Sequence, residues 1–197
     1  IPHTKRSMFL LANVAQFFAP KNAQGKDLAY CQMPPVVYME VEEEGGRSLG
    51  RIQVKLSRHS HTVLTDNFVR LCTGVVSERV TGKMITLAGT KLWSDGVIVG
   101  GGEIGDTMGR AASKSGFVAQ TIPSLPPSKK RASMGMLPVC LDRSSFTSLF
   151  FFVPRETAHV ADGVLFGDVD QGEEVLEAIH ASIDKQRKVV IAKCGLI

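Results

Sequence analysis

With 197 residues, 44% of them hydrophobic and 21% charged, the chain has the size and balance of one ordinary globular domain with a short appendage, and it can bury a full core. Its 23 Lys and Arg against 19 Asp and Glu leave a net charge of +4, too mild to argue for nucleic acid without a concentrated patch. The four cysteines, Cys31, Cys72, Cys140 and Cys194, stand far apart with no C-x-x-C pair. That spacing points away from a zinc site or a disulfide framework and toward reduced, mostly buried thiols, so neither a metal nor a cofactor is expected.

Residues 1–35 form a basic extension, in which Lys5, Arg6, Lys21 and Lys26 face Asp27 alone and hold nearly all the excess positive charge. Leu10, Val14, Phe17 and Phe18 fall at i, i+4, i+7 and i+8, one face of a short amphipathic helix that Pro20 ends. Such a face packs back on its own domain or docks on a partner or a membrane surface, because a helix this short is marginal alone in water. The apolar run from Met8 to Ala19 is broken by Asn13 and Gln16 and is shorter than the ~20 residues of a bilayer span, so no membrane-crossing helix is expected. The chain opens on Ile1, and removal of a targeting peptide would account for that start and imply an organellar address.

From residue 36 to 197 the pattern is that of a compact β-rich domain. Val37, Met39 and Val41 alternate with Tyr38, Glu40 and Glu42, Gly45-Gly46 supplies a turn, and Ile52, Val54 and Leu56 alternate again, which predicts a hairpin. Leu64, Phe68, Leu71 and Cys72 share a helical face that Gly74 closes. The stretch from Gly105 to Pro138 is rich in Gly, Ser, Pro and Lys and reads as long loops, including the triplet Lys129-Lys130-Arg131. Strands are predicted at Leu149 to Val153, Val164 to Phe166 and Val189 to Ala192. A second helix is predicted from about Gly172 to Ser182, with Glu173 and Glu174 at its positive end and Val175, Leu176 and Ile179 facing inward.

Several blocks along this order resemble a known family. Thr90 to Ile104 resembles the cyclophilin signature F-H-R-x-x-P-G-F-M-x-Q-G-G-D-F, with Gly96, Gly101 and Gly102 coinciding and Glu103 keeping the acid. Thr65-Asp66-Asn67-Phe68-Val69-Arg70-Leu71-Cys72-Thr73-Gly74 resembles T-x-E-N-F-x-x-L-C-T-G, and Val37 to Val41 with Leu49 to Ile52 looks like V-x-F-D-I…L-G-R-I. Ser133-Met134, Ser148 to Phe152, Asp162 to Val169 and Ile191 to Leu196 are similar to further family segments. The resemblance implies a mainly β fold: a closed eight-stranded antiparallel barrel capped by two α-helices, preceded here by the N-terminal extension.

It also implies a chemistry, and the sequence departs from it. An X-Pro bond interconverts slowly because its partial double bond must twist over a barrier of ~18–20 kcal/mol. In the family an arginine donates hydrogen bonds to the twisting amide, a glutamine holds the peptide, and an apolar cup grips the proline ring. Losing such a fixed donor costs on the order of 100- to 1000-fold. Here Leu92 stands at the arginine position, Val97 and Ile98 at the phenylalanine and methionine positions, Gly100 at the glutamine position and Leu149 at a second glutamine position. Phe151 alone clearly keeps its pocket-lining type, and the residues between Gly163 and Val164 are deleted. Lys91, one residue early, is expected on the opposite strand face from Leu92, and Arg131 or Arg155 would have to reach in from loops.

Other motifs give way to simpler explanations. His159 reads as an exposed loop residue, and His59-Ser60-His61 as a solvated turn with no second ligand pair. Gly100 to Gly105 spells G-x-G-x-x-G, but no amphipathic helix follows, so the dinucleotide-binding βαβ context is missing.

No catalytic residue is therefore assigned. The expectation is a degenerate cyclophilin serving as a structural or protein-binding subunit of a large, mitochondrial assembly, with Leu10, Val14, Phe17 and Phe18 as its docking face. The alternative is a weakly active peptidyl-prolyl isomerase acting through the remaining groove. A weaker third reading gives Lys129, Lys130 and Arg131 an RNA contact.

Overall fold

The computed structural model describes residues 34–57, 62–77, 84–104, 126, 128–138, 146–155 and 163–197. The face at Leu10, Val14, Phe17 and Phe18, the His59–His61 turn and His159 lie outside them.

The predicted hairpin forms from β1 (Val36–Glu43) and β2 (Ser48–Leu56), with Val37, Met39, Val41, Ile52, Val54 and Leu56 all buried. Gly45 and Gly46 take φ of 123° and 93° in the connecting turn, a region that suits glycine. Helix α1 (Thr62–Thr73) follows and buries Leu64, Phe68, Leu71 and Cys72. Gly74 at φ 67° ends it, and Val75 N–H donates to Arg70 O at 3.2 Å. Next come β3 (Val76–Ser77) and β4 (Met84–Ile85), a separate two-stranded sheet, then β5 (Lys91–Ser94) and β6 (Val99–Gly101). The remaining elements are β7 (Ser133–Pro138), β8 (Phe146–Val153), β9 (Val164–Gln171), helix α2 (Glu173–Asp184) and β10 (Val189–Leu196).

Eight of these strands close a barrel in the order β1-β10-β5-β6-β8-β7-β9-β2, every pairing antiparallel. Several of its members go beyond the sequence expectation: β8 begins at Phe146 rather than Leu149, and β9 runs past Phe166 to Gln171. β7 occupies the end of the stretch expected to be loop: Met134 and Met136 point inward and are fully buried, a two-residue alternation that the surrounding Ser, Pro and Lys obscure. β10 runs on past Ala192 to Leu196 because β1 pairs with it over that length.

The interior is aromatic and closed by the helices. Phe68 of α1 meets Phe150 and Phe166 edge-on at 5.6 and 5.9 Å, and Phe150 meets Phe152 at 5.7 Å. Helix α2 lies against β2, where the missing side chain of Gly50 leaves room: a Cβ there would stand 2.7 Å from Val175 Cγ2. Glu43, the last inward-facing residue of β1, fixes the far end of α2. It accepts from Ser182 Oγ at 2.9 Å and receives Arg187 Nη1 on both carboxylate oxygens at 2.9 Å. Among the described residues no helix is long and apolar enough to cross a membrane.

Candidate functional site

Strand register decides what each face of β5, β6 and β8 can do. On the inner face Leu92 pairs with Gly101, Gly101 with Phe150, Phe150 with Met136 and Met136 with Val164. Leu92 is only 7% exposed, and a Cβ on Gly101 would meet its Cδ2 and the Phe150 ring. The residue at the arginine position therefore packs into the barrel interior.

The outer face reads Trp93, Gly100, Phe151, Gly135 and Leu165 across β5, β6, β8, β7 and β9. Large and small residues alternate along that row, and the large ones lie over the small ones. A Cβ on Gly100 would overlap the Trp93 indole, and a Cβ on either Gly135 or Gly163 would overlap the Phe151 ring. Phe151 is consequently 2% exposed, packed in a cluster with Val153 and Leu165 that Ile98 and Leu137 complete. Trp93 stays 42% exposed, with Lys91 exposed one pleat away on the same side.

The structure thus brings Ile98, Gly100 and Phe151 together, and separates Leu92 and Val97 from them. Val97 sits at the tip of the β5–β6 turn and is 55% exposed. Asp95 shapes that turn by accepting from Val97 N–H at 2.9 Å and Ile98 N–H at 2.6 Å through Oδ1. These two backbone donors, Ile98 first, hold its carboxyl below the ordinary aspartate pKa. Leu149 is half-buried on β8, beside Ser148, whose Oγ donates to Gly102 O at 2.6 Å. Gly102 has φ 87°, and a Cβ there would overlap Ser148 O, so this part of the glycine run is set by the strand crossing.

The basic loop residues stay away from this row. Arg131 pairs with Asp170, and its Nη1 also donates to Asp170 O at 3.3 Å, while Lys129 and Lys130 are exposed. Arg155 lies at a different place, a cleft of about 420 Å³ between α2, the β5–β6 turn and the end of β8. Val97 and His180 line the same cleft. His180 Nδ1 is hydrogen-bonded to Ser94 Oγ, which in turn accepts from Gly96 N–H at 3.0 Å. Among the described residues no group of three or more His, Cys, Asp or Glu is placed to hold a metal ion.

The family model for cyclophilin-type peptidyl-prolyl cis-trans isomerase/CLD matches residues 37–196, nearly the whole barrel with its two helices. The chain belongs to the cyclophilin family. As a cyclophilin it keeps the barrel, and on the outer face Trp93 lies over Gly100 while Phe151 lies over Gly135 and Gly163.

Sequence reasoning missed Trp93, Gly135 and Gly163. The signal for Trp93 was local, since Leu92 and Trp93 are strand neighbours and only one of them can face inward. For the two glycines it was not, because the ring they accommodate belongs to a strand brought beside them only by the barrel.

Proposed function

We propose that this cyclophilin is a structural or protein-binding subunit of a larger assembly, with a proline site that is catalytically silent. The observation that carries this reading is the burial of Phe151. Its ring lies over Gly135 and Gly163, and it is 2% exposed. Two further features support it. Leu92 has no donor to offer a twisting amide and faces the interior, and the Trp93 indole lies over Gly100, where the family's glutamine would hold the peptide. Preorganised donors aimed at the reacting amide are what this catalysis consists of, and neither Leu92 nor Gly100 carries a side-chain donor.

The assembly we propose is an organellar, mitochondrial one. The RNA reading gains nothing from the geometry around Lys129–Arg131, where Asp170 neutralises Arg131.

Two measurements test the proposal. In a proline-isomerisation assay by NMR exchange, the full chain at high concentration leaves the uncatalysed rate of an X-Pro peptide unchanged. Purified from its source, the native protein travels with other subunits. Acceleration of the peptide together with a free, monomeric native protein sinks the proposal and restores the weak isomerase.

A further inference from the structure

Helix α2 offers a second surface, separate from the proline row. Glu173, Leu176, Glu177 and His180 fall at i, i+3, i+4 and i+7, one face of the helix, and all four border the cleft of about 420 Å³. The floor is apolar and rigid: Val99, Phe152 and Leu176 line it while being at most 9% exposed. Val97 stands at the mouth, an aliphatic side chain 55% exposed on a turn that Asp95 locks from behind. A cleft of this size accepts a small ligand or one bulky side chain with its adjoining backbone.

Its polar groups say which chemistry suits it. Two carboxylates line it, Glu173 and Glu177 on the helix, and Asp95 outside the lining lies within electrostatic reach of His180. Arg155 is the cation of the lining. The rim is thus net negative on a chain whose total charge is +4. Glu173 Oε1 is taken by Ala132 N–H and Asp95 by the turn amides, but Glu177 has no hydrogen bond or ion pair among the described residues. Ser94 Oγ accepts from Gly96 N–H and shares a hydrogen bond with His180 Nδ1, which fixes the ring at the edge of the cleft. With Nδ1 so engaged, Nε2 is the ring nitrogen left to hydrogen-bond a peptide backbone.

We propose that this cleft docks a segment of a partner protein in which a bulky apolar side chain is flanked by lysine or arginine. The apolar group enters over Val99, Phe152 and Leu176, the cation meets Glu177, and the peptide backbone hydrogen-bonds to His180 Nε2. The proposal rests on the protein-binding reading above and is indifferent to whether the proline row is silent.

The test is a titration of the isotope-labelled full chain with two end-capped peptides, Gly-Lys-Phe-Leu-Lys-Gly and Gly-Glu-Phe-Leu-Glu-Gly, followed by NMR. The lysine peptide shifts the resonances of Val97, Val99 and His180, and the glutamate peptide at equal concentration does not. Because Glu177 is exposed, Glu177→Lys keeps the fold, and it weakens the lysine peptide about tenfold. Equal shifts from both peptides, shifts mapping away from the cleft, no shifts at millimolar peptide, or an unchanged preference in Glu177→Lys each overturn the proposal. A native partner retained by Glu177→Lys and by Val97→Asp removes the cleft and leaves the protein-binding reading intact. A chain that accelerates proline isomerisation while binding the lysine peptide does the reverse to the silent-site reading.

Discussion

Replacing Phe151 with alanine separates a filled proline site from an open one. The ring is 2% exposed, lies over Gly135 and Gly163, and packs with Val153, Leu165, Ile98 and Leu137. Phe→Ala at a site packed on all sides costs about 3–5 kcal/mol, the transfer of the ring plus the cavity it leaves. For a domain of this size each kcal/mol moves the melting temperature by about 2–4 °C, so a drop of about 6–20 °C is expected. A ring waiting in an open groove for a proline would already be hydrated on one side, and its truncation would cost about 1 kcal/mol or less. Val97→Ala, at a residue 55% exposed, gives the reference of about 0.5 kcal/mol or below. Gly163→Ala probes the same space from the other side: its methyl would overlap the ring and overpack the site by about 1–3 kcal/mol. In the double variant that methyl occupies part of the vacated volume, so its loss falls short of the sum of the two single losses by about 0.5–3 kcal/mol. Urea unfolding followed by circular dichroism, with m-values compared to confirm a common two-state transition, measures all four proteins. A Phe151→Ala cost equal to that of Val97→Ala, or strict additivity with Gly163→Ala, would refute the filled-site reasoning.

Leu92→Arg, the substitution that restores the family's residue type, is expected to destabilise by about 3 kcal/mol or more and to yield no isomerase. It places an unpaired guanidinium against Gly101 and Phe150, and a folded, active variant would show that position 92 faces outward. Cys194 is half-exposed, and a hydrogen bond from the Cys72 thiol, helped by Thr86 and nearby amides, brings its pKa down to about 7, while burial pushes Cys72 up. Site-resolved alkylation by mass spectrometry should therefore find Cys194 reacting with a midpoint near pH 7 and Cys72 unreactive until the chain unfolds, and a midpoint for Cys194 at or above its ordinary 9.0 would contradict this. Glu43 is held below its ordinary value of 4.5 by Arg187 first and then by Ser182. Its contribution is present above pH 4.5 and is lost as pH falls through the lower folded value, so Glu43→Gln should flatten the acid limb of a stability-against-pH profile; an unchanged slope there counts against the cluster.

What was legible in the sequence was whatever repeats along the chain. β1, β2 and both helices bury one face each, so Val37-Met39-Val41 and Leu64-Phe68-Leu71-Cys72 announce themselves through period alone. β7 did not, because its inward pair Met134 and Met136 is separated by Gly135 and follows a Pro- and Lys-rich stretch. The site was legible as a set of positions but not as a set of directions. Matching Thr90–Ile104 to a motif says which residue stands where the arginine would, and nothing in that match says that Leu92 turns inward and hands the outer face to Trp93. The cleft under α2 lay further out of reach, since Val97, Arg155 and His180 come from three elements joined only by the closed barrel.

In the silent site proposed above, the absence of the reacting groups and the filling of the outer face are coupled. An outer-face pocket on a barrel is unstable to its own walls: aromatic side chains that line it gain dispersion and shed water by folding down, and the neighbouring side chains are what hold them up. With glycine at positions 100, 135 and 163, nothing stops Trp93 from lying over β6 or Phe151 from lying over β7. Each collapse then stabilises the barrel, and a side chain returned to Gly100 or Gly163 alone meets a ring already in place. A single restoring substitution is therefore penalised twice, by the missing donor and by the overlap. The same coupling explains how such a face would persist in a silent cyclophilin: it is part of the packing, and the cleft beside α2 is then the surface proposed above for other chains.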